Sequence, residues 1–146
     1  MVPSSSTVIL KLVCRLQDGD VQTLLNGMLI IDLVHHTSRN VSASGMFNNQ
    51  TRVGGGMKYV PGVGENGVVV ALGGQVFDGK RVTTSKDKGR LLDFNTIEVF
   101  DIASYLQDPT ENGTWYSQLT SGDIPPARID FCTIIASASD NSSHNM

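Results

Sequence analysis

The sequence predicts an all-β chain assembled from four-stranded antiparallel sheets, and three observations predict it. Glycine is abundant, 15 in 146 residues, while aromatic residues make up only 6%. The apolar runs, such as residues 28–31 and 68–72, are strand-sized, and none continues as a helical stripe. Asn66-Gly67 stands between two such runs, and this dipeptide signals a hairpin because both residue types tolerate positive φ.

The elements follow in chain order. Residues 20–25 form the best helical candidate, short and without a cap. Residues 28–33 are a strand-like apolar run. Residues 57–61 are another, closed by Pro61, and residues 67–72 are β-branched and apolar, as in a strand buried on both faces. Residues 57–72 therefore read as a hairpin. Gly73-Gly74 ends its second strand and lets the backbone turn where side chains would crowd. A polar, charged stretch runs to Asp93, after which Ile97 and Val99 alternate with Glu98 and Phe100, the pattern of a two-faced strand. Asp101 ends that strand, and a turn-capping carboxylate is the commoner role there than a catalytic one. Residues 103–113, with Asp108-Pro109 and Asn112-Gly113, read as a loop. Residues 114–119 are a further strand with the only tryptophan, Trp115. Residues 121–128 are a crossover rich in proline, and residues 130–136 open a new strand on which Cys132 is expected as a small buried side chain.

The chain also repeats itself. Residues 52–60, Arg-Val-Gly-Gly-Gly-Met-Lys-Tyr-Val, line up with residues 128–136 at an offset of 128 − 52 = 76. Glu65-Asn66-Gly67 then falls opposite Asn141-Ser142-Ser143. Leu29-Ile30-Ile31-Asp32 lines up with Glu98-Val99-Phe100-Asp101 at 98 − 29 = 69, and the difference of 7 is about the size of an insertion at residues 105–111. The repeating unit is strand, Asn-Gly turn, strand ending in Gly-Gly, long loop, strand ending in Asp, strand with Trp, and a Pro-Arg crossover. That order makes one four-stranded antiparallel sheet per repeat.

Charge and composition narrow the function. A net charge of −3 argues against a general binder of nucleic acid or anionic membrane. No segment is long and apolar enough to cross a bilayer. Residues 1–16 make a poor signal peptide, because Lys11 splits the apolar run and no small-residue cleavage site follows. Cys14 and Cys132 lack metal-ligand spacing, and a disulfide between them is left open. Sequons begin at Asn40, Asn49, Asn112 and Asn141, in Ser/Asn/Gly-rich stretches, which favours an extracellular or cell-surface setting with these asparagines as glycosylation candidates.

Constellations that could carry chemistry fall away one by one. His35-His36 are adjacent, so they point apart and have no third ligand nearby in sequence. Ser, His and Asp are present without a Gly-X-Ser-X-Gly elbow. Gly54-Gly55-Gly56 lacks the Lys-Ser/Thr and helix start of a phosphate loop. No catalytic residue, metal ligand or cofactor is assigned. Lys80, Arg81, Lys86, Lys88 and Arg90 crowd together against one acid, Asp87. Such a run is a solvated loop or, on a rigid scaffold, a ligand-contact loop.

On Gly73-Gly74, Phe100-Asp101, Trp115 and Pro125-Pro126-Ala127-Arg128, the chain resembles the Kelch repeats of the galactose oxidase/Kelch superfamily. The resemblance is closest to secreted or cell-surface Kelch-domain proteins of fungi. It departs in having Phe100 where Tyr is common, and in the insertion that separates Trp115 from Phe100. The resemblance implies a partial β-propeller of about two blades. Residues 1–27 stay unassigned, residues 28–45 are the last strands of a preceding blade, residues 46–122 a complete blade with inserted loops, and residues 123–146 the start of a further, truncated blade. It also implies a binding module and not an enzyme, with a protein or carbohydrate partner, and the basic run from Lys80 to Arg90 adds the expectation that this partner is anionic. The alternatives are a fragment of a copper oxidase propeller and an incomplete gene product. For the former, Tyr59, Tyr105 and Tyr116 offer no recognisable copper-site counterpart. Propeller blades bury a shared core, so two of them alone are expected to fold poorly or to associate.

Overall fold

The computed structural model describes residues 8–11, 15–18, 21–24, 27–43, 51–77, 81–82, 89–108 and 111–146. In chain order its elements are β1 (Val8–Lys11), β2 (Arg15–Asp18), β3 (Val21–Leu24), β4 (Met28–Asp32), β5 (Thr37–Val41), β6 (Thr51–Val53), β7 (Gly56–Val60), β8 (Val68–Leu72), β9 (Gln75–Phe77), β10 (Arg81–Val82), β11 (Arg90–Leu91), β12 (Thr96–Asp101), α1 (Ile102–Gln107), β13 (Thr114–Leu119), β14 (Ala136–Ser137) and β15 (His144–Asn145). Among the described residues the chain is all-β apart from one short helix. It forms two compact units, Met1–Thr51 with Phe77–Lys88, and Arg52–Val76 with Gly89–Met146.

The second unit is built on an antiparallel meander in the order β13-β12-β8-β7. This is the hairpin over residues 57–72 extended by the two strands expected after it. Val60, Val68, Asp101 and Thr114 stand in one row across the sheet. Residues 61–67 and 102–113 therefore connect strands at that end, while residues 73–95 and the chain after Leu119 leave from the other. Successive side chains on a strand point to opposite faces, and paired residues share one. Val69, Ala71, Glu98, Phe100 and Trp115 thus lie on one face. Val60, Val68, Val70, Leu72, Ile97 and Val99 lie on the other, where Ile135 packs against them. The β-branched run of β8 suits this position, since Val68, Val69, Val70 and Ala71 are all buried. Each fully buried valine contributes about 1.5–3 kcal/mol by leaving water.

The turn of this hairpin is wider than a two-residue Asn-Gly turn. Val60 pairs with Val68, and positive φ falls on Gly62, Gly64 and Gly67, not on Asn66. Residues 103–113 are not wholly a loop. Asp101 caps α1, its Oδ1 accepting from Ala103 N at 3.0 Å, and this local bond starts a helical turn where Asp108-Pro109 suggested none. Residues 130–136 are not a continuous strand either. Asp130 takes φ 55°, its N–H donates to Gly54 O at 2.9 Å, and Arg128 O accepts from Gly74 N at 3.1 Å. Their backbone groups are thus committed to the preceding sheet, and strand pairing begins only at Ala136. Cys132 is exposed, not buried, because no strand holds it inside.

β14 and β15 fall where the repeat puts them. Val60 and Val68 shifted by the offset of 76 give 60 + 76 = 136 and 68 + 76 = 144, the first residues of these two strands. The pairs formed are Ala136↔Asn145 and Ser137↔His144, one residue out of register with the Val60↔Val68 pair.

The first unit contains the sheet β1-β4-β5. Its register repeats that of the meander: Val8↔Asp32 and Asp32↔Thr37 stand as Val68↔Asp101 and Asp101↔Thr114 do. Residues 1–27, which the sequence assigns to no blade, thus supply a strand to it. A second sheet, β10-β3-β2, corrects the helical reading of residues 20–25: Val21–Leu24 pairs with both Arg15–Asp18 and Arg81–Val82. Two strand partners outweigh the weak propensity of a segment too short to hold a helix alone. The charged stretch after Gly74 is likewise no plain loop, since β9 pairs with β11 and β6.

Candidate functional site

Gly73 and Gly74 sit at the end of the meander from which residues 73–95 and the chain after Leu119 leave. Both have positive φ, +57° and +89°. A Cβ on Gly73 would lie 2.8 Å from the Phe131 ring, and one on Gly74 would lie 2.8 Å from the backbone of Gly55 and Val53. Only glycine fits both the dihedral and the space. Phe131 stacks edge-on against Phe94, with centroids 5.4 Å apart, so an aromatic pair closes over the glycines.

At the other end, Phe100 is 1% exposed. It packs on Trp115 at 5.0 Å and Tyr105 at 6.4 Å between ring centroids, distances at which tilted rings attract. The sequence insertion does not separate Trp115 from Phe100, because the two are cross-strand partners, and residues 105–107 of the insertion lie in α1 beyond the strand ends. Ser104 Oγ ties that helix back, donating to Asp101 O and accepting from Thr114 N, each at 2.7 Å.

One buried ionic contact was not foreseen from the sequence. Arg52 and Glu98 form an ion pair with both side chains almost wholly buried. Burial pushes the Glu98 carboxyl up and the Arg52 guanidinium down from their ordinary values, and the attraction of each for the other opposes this only in part. Desolvating two charges costs several kcal/mol per ion, so the geometry must recover it. The available signal was the place of Glu98 as the one charged residue among Ile97, Val99 and Phe100.

The basic cluster is only partly in view. Arg81 lies in β10 opposite Thr23, and Arg90 lies in β11 opposite Val76 with its side chain exposed. Lys80, Lys86 and Lys88 lie outside the described residues, as do Asn49 and Cys14. Of the other sequon asparagines, Asn40 is exposed on β5, and Asn112 and Asn141 are exposed beyond the strand ends. His35 Nδ1 lies 2.7 Å from Asp32 Oδ2.

A concavity of about 700 Å³ lies over the apolar face of the meander. Val70, Leu72 and Ile97 form its floor, and Arg128, Ile134 and His144 are on its walls. Arg128 is exposed and donates from Nε to Pro126 O at 3.2 Å. His144 Nε2 is buried without a hydrogen-bond partner among the described residues. The groove is mainly apolar, and Gln118, Arg128, Cys132, Thr133 and His144 are the polar residues that line it.

No protein-family profile matches the chain, and no solved structure matches it. It is similar to a Kelch repeat-containing protein of Arthroderma benhamiae (strain ATCC MYA-4681 / CBS 112371), at 34% identity over 108 residues. The match covers 72% of this chain and spans 13% of that relative's length.

Proposed function

We propose that the chain is a Kelch-type propeller module, part of a longer cell-surface or secreted protein, and that it binds a partner and catalyses no reaction. The observation that carries this reading is the meander β7-β8-β12-β13 with its Gly73-Gly74 and Phe100–Trp115 contacts. Three further features support it: the register repeated in β1-β4-β5, the hairpin one repeat later, and the similarity to a Kelch repeat-containing protein. Four sequons support the extracellular setting.

The partner docks on the basic cluster, formed by Arg81 in β10, Arg90 in β11 and, in sequence, Lys80, Lys86 and Lys88, so an acidic protein or anionic glycan fits it. Rim charges of this kind set association rate more than final affinity. The test is surface plasmon resonance of the longer protein over an immobilised sulfated glycan and an acidic peptide, before and after changing these five residues to serine. A slower association with a weaker salt dependence is expected. An unchanged rate on both surfaces would reduce the cluster to a solvated surface.

A further inference from the structure

The meander ends on one side in β13, whose strand partner among the described residues is β12 alone. The far edge of β13 presents backbone groups that no strand pairs, a template for another chain. Charges, proline and bulges are what usually blunt such an edge. β13 reads Thr-Trp-Tyr-Ser-Gln-Leu, with neither charge nor proline, and its register with β12 runs without a bulge. Five of its six residues are exposed, Leu119 at 79%. Uncharged, β-prone segments of this length are the ones that associate. Two residues ahead of the strand stands Asn112, exposed, at the head of the sequon Asn112-Gly113-Thr114. Gly113 fixes the chain there: its φ is +64°, and a Cβ on it would lie 2.8 Å from the Phe100 ring. Thr114, which closes the sequon, is exposed. The sequon Asn141-Ser142-Ser143 lies at the same end of the sheet, since a Cβ on Gly62, in the turn after β7, would lie 2.5 Å from Asn141 Cβ. It stands by β7, at the opposite edge, three strand spacings or about 14 Å from β13.

We propose that Asn112 carries an N-linked oligosaccharide and that this glycan guards the open edge of β13 against pairing with another chain. The donor is a lipid pyrophosphate-linked oligosaccharide. Asn112 Nδ2 bonds to the anomeric carbon, the bond from that carbon to the pyrophosphate oxygen breaks, and one amide proton is released with the leaving lipid pyrophosphate. β13 is about 20 Å long, and a branched, hydrated oligosaccharide rooted beside its first residue is of comparable length. It supplies the bulk and polarity that the strand's own side chains lack. A glycan on Asn141, beside β7, leaves β13 open. The inference rests on the extracellular setting proposed above.

The test uses the longer protein secreted from eukaryotic cells behind an added signal peptide, so that occupancy does not depend on the native destination. Peptide mass spectrometry should find Asn112 glycosylated. Asn112→Gln, and independently Thr114→Val, each remove the sequon. Both should shift monomer into larger species in sedimentation velocity, whereas Asn141→Gln should not. Adding Leu119→Lys to Asn112→Gln should restore the monomer, because a charge on the edge strand replaces the lost guard. A monomeric Asn112→Gln, an Asn141→Gln that associates equally, or a failed Leu119→Lys rescue would overturn the guarding role. An unmodified Asn112 on the secreted protein would overturn the site while leaving the extracellular setting intact. If the secreted protein carries the glycan and the protein from its native source lacks it, the extracellular setting fails and the inference falls with it.

Discussion

Residues 52–72 and residues 128–146 start from matching signals and reach different ends. The first stretch pairs over five residues in β7 and β8, and its arginine is 3% exposed against Glu98. The second pairs over only two residues in β14 and β15, and its arginine stays exposed. The difference lies in β12, which pairs with β8 from Val68 to Ala71 and supplies Glu98. A hairpin alone is marginal in water, and a third strand with an apolar face is what makes it persist. Local sequence therefore decides where a repeat begins, whereas the strand that follows decides how far it zips.

Substitution at the two arginines should break this comparison most sharply. Arg52→Met leaves Glu98 buried without its counter-charge and should cost roughly 3–5 kcal/mol. In the same 146-residue chain, Arg128→Met should change stability by less than about 0.5 kcal/mol, as surface substitutions do. Urea midpoints read both, and equal effects would mean that the two arginines do not differ in setting.

Glycines give a smaller contrast. Gly74→Ala meets the backbone of Gly55 and Val53 at 2.8 Å with φ +89°, and should cost roughly 2 kcal/mol or more by strain and displacement together. Gly64→Ala has φ +67° with nothing within 4 Å, so it should cost only the backbone term of about 1 kcal/mol. Gly74→Ala as mild as Gly64→Ala would mean that the sheet end is not packed as described.

The smallest effect is a pH dependence at Asp32, the aspartate that ends β4. Asp32 is held at about 2, from 3.8, first by the hydrogen bond from the His35 side chain and then by the His35 backbone N–H. A depressed carboxyl contributes stability above its unfolded pKa that is lost as pH falls through its folded value. Asp32→Asn should therefore weaken the β4–β5 hairpin at pH 5 but not at pH 2. A carboxyl NMR titration that places Asp32 near 4 would contradict the contact.

Much of the meander was legible in the sequence, because β-branched alternation and paired glycines are local signals. Val68–Leu72, Thr96–Asp101 and Thr114–Leu119 all lie within such patterns. What was missed depends on pairing across long separations. Val8–Lys11 becomes a strand through Met28–Asp32, which no short window around it contains, and Val21–Leu24 is held by Arg81–Val82 as well as by the adjacent Arg15–Asp18. The Arg52–Glu98 pair spans 46 residues. Residues 131–135 looked like a strand by composition, but hydrogen bonds around Arg128 and Asp130 tie the preceding backbone to Gly54 and Gly74.

The central claim is that the meander is one blade whose apolar face is covered by the next. An experimental structure of the longer protein tests it directly. The face formed by Val70, Leu72 and Ile97 should lie under a second four-stranded antiparallel sheet. Finding that face open to solvent, or packed under a helix, would contradict the account.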